Sequence, residues 1–329
     1  MIVGISCALR LLWVSGSEQV RFCYAYSERI EQLELAFNLQ HSHTRGVSVI
    51  LTTSWRSARR TLVALSLAIA GCRASLPASP TPQTFSLRLL VDSASAPLLR
   101  DLTNNFRENN ALIAWDITTL EPHFALIELA RGEIPFAVLS HLPDPRLVEE
   151  NGSLWATPVG QLGIAFVVHP SNLLSNLTPS QARAILRGQV ISWAELGGAD
   201  RPVQVVARPP ESSEGAIVQA LLLGNQPITR TARLAPTSQS VIDLVRADPN
   251  SIGYVAASYV GEGVRMVAFD GVLPTPEALT VGSYALRSPI LIVGNAEPAD
   301  DLYRAFFAWI QSPEGQRLVR RYYGALPLP

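Results

Sequence analysis

The sequence predicts an α/β protein, and three observations carry that expectation. From Phe85 onward, short apolar runs alternate with amphipathic stretches of helical period, the pattern of α/β layers around mixed or parallel sheets. At 329 residues, 48% hydrophobic and 16% charged, the chain can bury a sizeable core and is long enough for two domains. Its cysteines, Cys7, Cys23 and Cys72, all precede residue 73, so neither a disulfide framework nor a thiolate metal site can organise the chain beyond that point.

The elements come in this order. Residues 87–91 read as a strand, 97–108 as a helix, 113–118 as a strand, 124–131 as a helix and 136–139 as a strand. Residues 163–168 form a longer apolar strand. The helix after Thr178 has its start and stop written in: Thr178 as N-cap, Pro179 in the first helical position, Gln181 to close a capping box, and Gly188 as the stop. Its apolar face is Ala182, Ile185 and Leu186. Leu302, Phe306, Phe307 and Ile310 form a further apolar stripe. The last helix repeats the device, with Ser312 as cap, Pro313 next and Gly324 as its end. After Cys72 there is no internal repeat, heptad or membrane span.

Ahead of the folded part lies a targeting pattern. Arg56, Arg59 and Arg60 precede an apolar run at 61–70 that ends Ile69-Ala70-Gly71-Cys72. That is the order of a secretory signal, and its apolar core is too short to span a membrane. Its last four residues look like a bacterial lipobox, with Cys72 the lipidated first residue of the mature chain. The other reading is a buried helix ending in a structural cysteine. Ser and Pro at 74–84 make an extended tether. Residues 1–48 show no clear periodicity and are either an extra leader or a wrong start codon.

Charge and motifs exclude several functions. Every basic residue is Arg, so lysine Schiff-base and acid/base chemistry is absent. Residues 72–329 carry nineteen Arg against twenty-three acids and no basic run, which argues against a nucleic-acid partner. There is no H-E-x-x-H, no G-x-S-x-G, no P-loop and no cluster among the five His, and a Ser212 nucleophile would lack a base; the chain reads as a non-enzyme without cofactor or metal.

One stretch carries chemistry. In residues 203–223 a β-branched strand runs out at Val206, Arg208 comes next in a Pro-flanked loop, and Ser212 and Ser213 stand at the mouth of an amphipathic helix. A guanidinium beside free helix N–H groups is a place for an anion. Hydroxyls also precede other helices: Ser93 and Ser95 before Pro97, and Thr237, Ser238 and Ser240 before residues 241–246; Ser140 ends the 136–139 strand. Each alone is an ordinary cap or turn residue, and Arg208 alone could be a surface ion pair. Together they lie where open α/β sheets bind ligands. Glu214 puts a negative charge inside the cradle.

The order of motifs resembles the phosphate-binding proteins of ABC transporters, the PstS-like branch of the periplasmic binding proteins. The resemblance rests on L-T-P-S-Q-A-R-A-I-L-R-G-Q-V-I-S-W-A-E-L-G-G at 177–198, the strand before Arg208, S-I-G-Y at 251–254, D-G-V-L-P-T-P at 270–276, G-S-Y-A-L-R-S-P at 282–289 and S-P-E-G-Q at 312–316. It covers the chain from about Phe85 to the end. It implies a two-lobed periplasmic-binding-protein type II fold with the ligand cleft between lobes, lobe one being 85–158 plus 288–329 and lobe two 159–287, after a leader and signal (1–71) and a linker (72–84). It further implies a monomeric, extracytoplasmic, lipid-anchored receptor that captures phosphate or another small anionic solute and hands it to an ABC permease. Arg208 and Ser212 match the family's Arg and Ser, Ser95 falls in its first hydroxyl loop, and Ser140 at its third strand; Ser93, His141, Ser213, Glu214 and Ser238 complete the expected site.

Three departures stand against phosphate. Glu214 replaces a small or hydroxyl residue; left ionised about 4 Å from a bound anion it would cost roughly 4 kcal/mol per charge pair. It is either a capping acid that faces water or a residue that reads the ligand. The family's Gly/Ser-rich second loop is L-E-P-H at 120–123 here, which brings a further acid, Glu121. His141 stands where an acid is usual, as a donor or as a surface residue. The other functional reading is a PstS-like sensor or surface module that binds a different solute or has lost phosphate binding.

Overall fold

The computed structural model describes residues 85–108, 110, 112–143, 146 and 154–327, all within one compact unit, Ala78–Pro329. The leader, the Cys72 signal and the linker lie outside the described residues. The chain forms β1 (Phe85–Val91), α1 (Ala96–Glu108), β2 (Ile113–Thr119), α2 (Pro122–Arg131) and β3 (Phe136–Leu139). It continues through β4 (Trp155–Val168), β5 (Asn176–Leu177), α3 (Pro179–Leu186), β6 (Gln204–Ala207) and α4 (Ser213–Val218), which runs directly into a π-helical turn, Gln219–Leu223. Then come β7 (Arg233–Leu234), α5 (Ser238–Ala247), β8 (Ser251–Ala256), β9 (Arg265–Phe269), α6 (Pro276–Thr280), β10 (Arg287–Gly294), α7 (Asp301–Gln311) and α8 (Pro313–Val319).

The fold is mixed α/β and two-lobed. Its strands take the order β2-β1-β3-β10-β4-β8-β6-β7, with β9 on β4 and β5 on β9. β1 lies parallel between β2 and β3, and β10 closes that half antiparallel to β3. β6 lies parallel between β7 and β8 in the other half. The 14-residue β4 serves both: it pairs with β10 as far as Gly163, then with β8 from Ile164 to Val168. The chain returns at Leu286, whose carbonyl accepts from the Ile164 amide at 2.9 Å, and Tyr284 donates its hydroxyl to the Ile164 carbonyl at 2.5 Å.

The expected caps are present. Thr178 and Gln181 form the capping box, and Ser312 Oγ accepts from the Gly315 amide. Burial of Phe306, Phe307 and Ile310 agrees with the apolar stripe, and the rings of Phe106, Trp115, Phe306 and Trp309 pack around one another.

The structure revises several bounds. β4 begins eight residues before the expected strand, because its first half is the β10 partner and only its second half has the continuous apolar run of a doubly covered strand. The last helix ends at Val319, and Gly324 instead exchanges backbone hydrogen bonds with Gln161 of β4 at 2.7 and 2.9 Å. That approach requires Gly160, where a Cβ would sit 2.7 Å from the Gly324 carbonyl oxygen. Ser238 and Ser240 lie inside the first turn of α5, with Thr237 as the cap. Among the described residues, no helix is long and apolar enough to cross a membrane.

Candidate functional site

Arg208 directly succeeds the last residue of β6 and is the largest fully buried side chain, 1% exposed. Every side of its guanidinium is engaged. Nε donates to Glu214 Oε2 at 3.3 Å, Nη1 to the Ala235 carbonyl at 3.0 Å and Nη2 to Ser93 Oγ at 3.4 Å; Nη2 also lies 3.6 Å from Glu121 Oε1. The guanidinium is thus paired, and it is buried rather than part of a surface ion pair.

The loop after Arg208 is a tight turn. Ser212 Oγ donates to the Pro209 carbonyl at 2.7 Å and accepts from the Gly215 amide at 3.1 Å, which caps α4. Gly215 fits because a Cβ there would lie 2.1 Å from the Pro209 carbonyl oxygen. Ser212 thus holds the turn, and its neighbour Ser213 faces the site.

Glu214 does not turn to water. It is fully buried; Oε1 accepts from the Ser238 hydroxyl and Oε2 from Arg208. A carboxylate can be buried here because a cation and a hydroxyl replace its water. Of the two readings left open by the sequence, the capping acid facing solvent is the one the fold rules out.

Glu121 belongs to the same network. It is the N-cap residue of α2, yet its side chain makes no bond to that helix. It reaches out: Oε1 accepts from Ser93 Oγ at 2.7 Å, and Oε2 from the Ser213 amide at 3.1 Å and the Ser213 hydroxyl at 3.4 Å. Burial raises its pKa; the bonds from Ser93 and Ser213 act against that, and Glu214 and Asp92 add to it.

Beside this network lies a second one around Asp92, which the sequence pattern did not single out. Asp92 comes directly after β1 and is fully buried. Its Oδ1 accepts from the Ser95 amide at 2.7 Å; its Oδ2 accepts from the Ser140 amide at 2.5 Å and hydroxyl at 2.7 Å. Asp92 thereby ties the first loop to the end of β3, and desolvation raises its pKa against those bonds. The Ser95 hydroxyl is buried with no hydrogen-bond partner. Tyr259 donates to the Ser93 carbonyl at 2.8 Å, and burial pushes its phenol up to about 12.

Of the expected residues, the structure brings Ser93, Arg208, Ser213, Glu214 and Ser238 into one network and holds Ser95 and Ser140 next to it on Asp92. His141 stands apart. It is half-buried, with its pKa lowered by desolvation, and lines an apolar cavity of about 350 Å3 with Leu142, Ile217, Ala220, Leu221 and Pro289. Its ring took the other direction because Ser140 alternates into the Asp92 network and the next residue leaves it. Asp92 had a readable signal, an acid at a strand end directly before the S-A-S cluster; Tyr259 had none. Among the described residues, no group of three or more His, Cys, Asp or Glu could hold a metal ion.

Residues 76–314 match the family described as the PBP superfamily domain. The chain belongs to the PBP superfamily. Within it, the chain is 24% identical over 245 residues to the phosphate-binding protein PstS of Bacillus subtilis, covering 74% of this chain and 81% of that one. It is 25% identical over 169 residues to PstS of Borreliella burgdorferi, where the match spans 47% of this chain and only 60% of the relative's length. Among solved structures, one described as a phosphate ABC transporter substrate-binding protein with bound phosphate, from Clostridium perfringens, superposes with a TM-score of 0.68 at 25% identity, over 74% of this chain and all of that one. A phosphate transport receptor from Vibrio cholerae shares the fold with a TM-score of 0.63 at 21% identity, over 73% of this chain and all of that one.

Proposed function

We propose that this PBP-superfamily chain is an extracytoplasmic solute-binding protein that captures phosphate or a related small oxyanion for an ABC importer and catalyses nothing. Lobe one would comprise 85–158 plus 288–329 and lobe two 159–287, with the solute held between them by a monomer. The observation that carries the reading is Arg208, a buried guanidinium at the end of β6, met by Ser93 from the β1 loop and sharing the Glu121 carboxylate with Ser213 at the start of α4. In that role Arg208 supplies a charge-assisted contact, while Ser93, Ser95, Ser140 and Ser213 supply neutral donors that set the geometry of the bound oxygens. Cys72, lipidated, would anchor the protein to the membrane beside its permease.

A second reading is favoured by a specific observation: Arg208 already has carboxylates on two sides. On that reading the protein is a PstS-like sensor or surface module that takes a different solute or no phosphate.

Isothermal titration with phosphate, sulfate, molybdate and small organic acids separates the two. Uptake predicts heat with at least one oxyanion, and loss of that heat in the paired variant Arg208→Gln with Glu214→Gln, which removes the cation without stranding a buried charge. Absence of heat with every oxyanion sinks the uptake reading. Mass spectrometry of the native protein tests the anchor: the expected mature N-terminus is an acylated Cys72, and peptides from residues 18–40 in mature material would refute it.

A further inference from the structure

The Glu121 carboxylate is surrounded by the donors that a bound oxyanion would need: the Ser93 hydroxyl, the Ser213 amide and hydroxyl, and the flank of the Arg208 guanidinium. Both of its oxygens are occupied. Those donors come from two halves of the sheet, Ser93 from the loop after β1, and Ser213 and Arg208 from the segment after β6. Glu121 caps no amide of its own helix; its side chain bonds instead to donors 28 and 92 residues away in sequence.

Its burial also differs from that of its neighbour. Glu214 is sealed, whereas the Glu121 side chain is 25% exposed and can swing out by rotation about its own bonds. A phosphate or sulfate placed on the same donors would carry its charge to the position the carboxylate holds, and two anions cannot share it.

We propose that Glu121 is an internal surrogate for the solute: its carboxylate occupies the anion seat and latches the β1 half of the sheet to the β6 half, so that an incoming oxyanion binds only by displacing it. The displacement rests on the oxyanion reading above; the latch does not. Glu121 is then a specificity-determining residue, because a solute must outcompete a tethered carboxylate at its high local concentration. The ligand-free protein is held closed rather than open.

The test uses the whole chain as wild type, Glu121→Ala and Glu121→Gln, each checked for folding by its urea midpoint. Small-angle scattering in phosphate-free buffer reads the latch, and titration with inorganic phosphate reads the displacement. The expected result is a larger radius of gyration for Glu121→Ala than for wild type, contraction of that variant on adding phosphate, and phosphate binding about tenfold or more tighter than wild type. Glu121→Gln, which keeps the side-chain volume, shifts both readings in the same direction by less. Scattering curves of Glu121→Ala and wild type that superimpose without phosphate overturn the latch, and phosphate affinity equal to or below wild type in an expanded variant overturns the displacement. Expansion of Glu121→Ala with no heat from phosphate or sulfate keeps the latch and sinks the uptake reading, whereas phosphate binding without expansion does the reverse.

Discussion

Glu214, Asp92 and Glu121 lie close together but differ in what holds them. Glu214 is paired with Arg208 in full burial, so Arg208→Ala, which strands that carboxylate, should lower the unfolding free energy by about 3–5 kcal/mol in urea denaturation. Glu214→Thr removes the charge and keeps a short hydroxyl for Ser238; the expected outcome is new or stronger phosphate binding by titration, and unchanged affinity would mean that Glu214 is not what limits it. Asp92→Ala leaves the buried amides of Ser95 and Ser140 without their acceptor, at about 1–3 kcal/mol each, and should show as a lower urea midpoint with the β1–β3 junction loosened. For Glu121, burial raises the folded-state pKa above the ordinary glutamate value of 4.5, so the folded state holds its proton longer than the unfolded one. Stability from this group is therefore highest below about 4.5 and is lost as pH rises towards the folded pKa. Compared with Glu121→Gln across a range of about pH 4 to 7, wild type should lose relative stability as the pH rises. Arg208, Ser212 and Ser213 were legible in the sequence because strand, loop and helix mouth are contiguous there. Asp92 showed there only as an acid at a strand end and Glu121 only as an added acid in the second loop; what they bind was not legible, since their partners lie 48 and 92 residues away and only the convergence of three loops brings them together.

The helices apart from α6, the strands β1, β2, β3 and β6 and the second half of β4 could be read from period and caps; β5, β7, β8, β9 and β10 were not read as strands, and at the revised bounds a distant partner decided the outcome. The first half of β4, W-A-T-P-V-G-Q-L, reads as a connection because of its Pro and Gly until β10 supplies its ladder. The helix expected to run on from Ser212 changes pitch at Gln219, where the π turn buries Leu222 and Leu223 while Ala220 and Leu221 border the apolar cavity. Such a turn carries one more residue per ring than an α-helix and is often found near functional sites. The Gln219 side-chain amide, which donates to the Gly224 and Gln226 carbonyls at 2.5 and 2.9 Å, ties off its end. The start of α4 is equally exacting. Gly215→Ala drives a methyl into the Pro209 carbonyl, so the turn must open; the expected cost is about 1–3 kcal/mol of stability, with loss of whatever binding the titrations detect.

At the scale of the whole molecule, the two halves differ in how the chain is distributed between them. The β6 half is drawn from one continuous stretch, Ile164 to Leu286, whereas the β1 half takes β1, β2 and β3 from before that stretch and β10, α7 and α8 from after it. Its core shows the same division, with Phe136 packed against Tyr303 and Phe307, and Phe106 against Phe306. Phe306→Ala should therefore destabilise by about 3–5 kcal/mol and loosen the β1 half first, which amide exchange can read strand by strand. This arrangement sets an order of assembly. As the chain is synthesised, β3 appears early with one edge unpaired and waits about 150 residues for β10, so the half begun first is the half finished last. During that interval an apolar strand edge stays open to other chains, and the interval ends when β10 arrives.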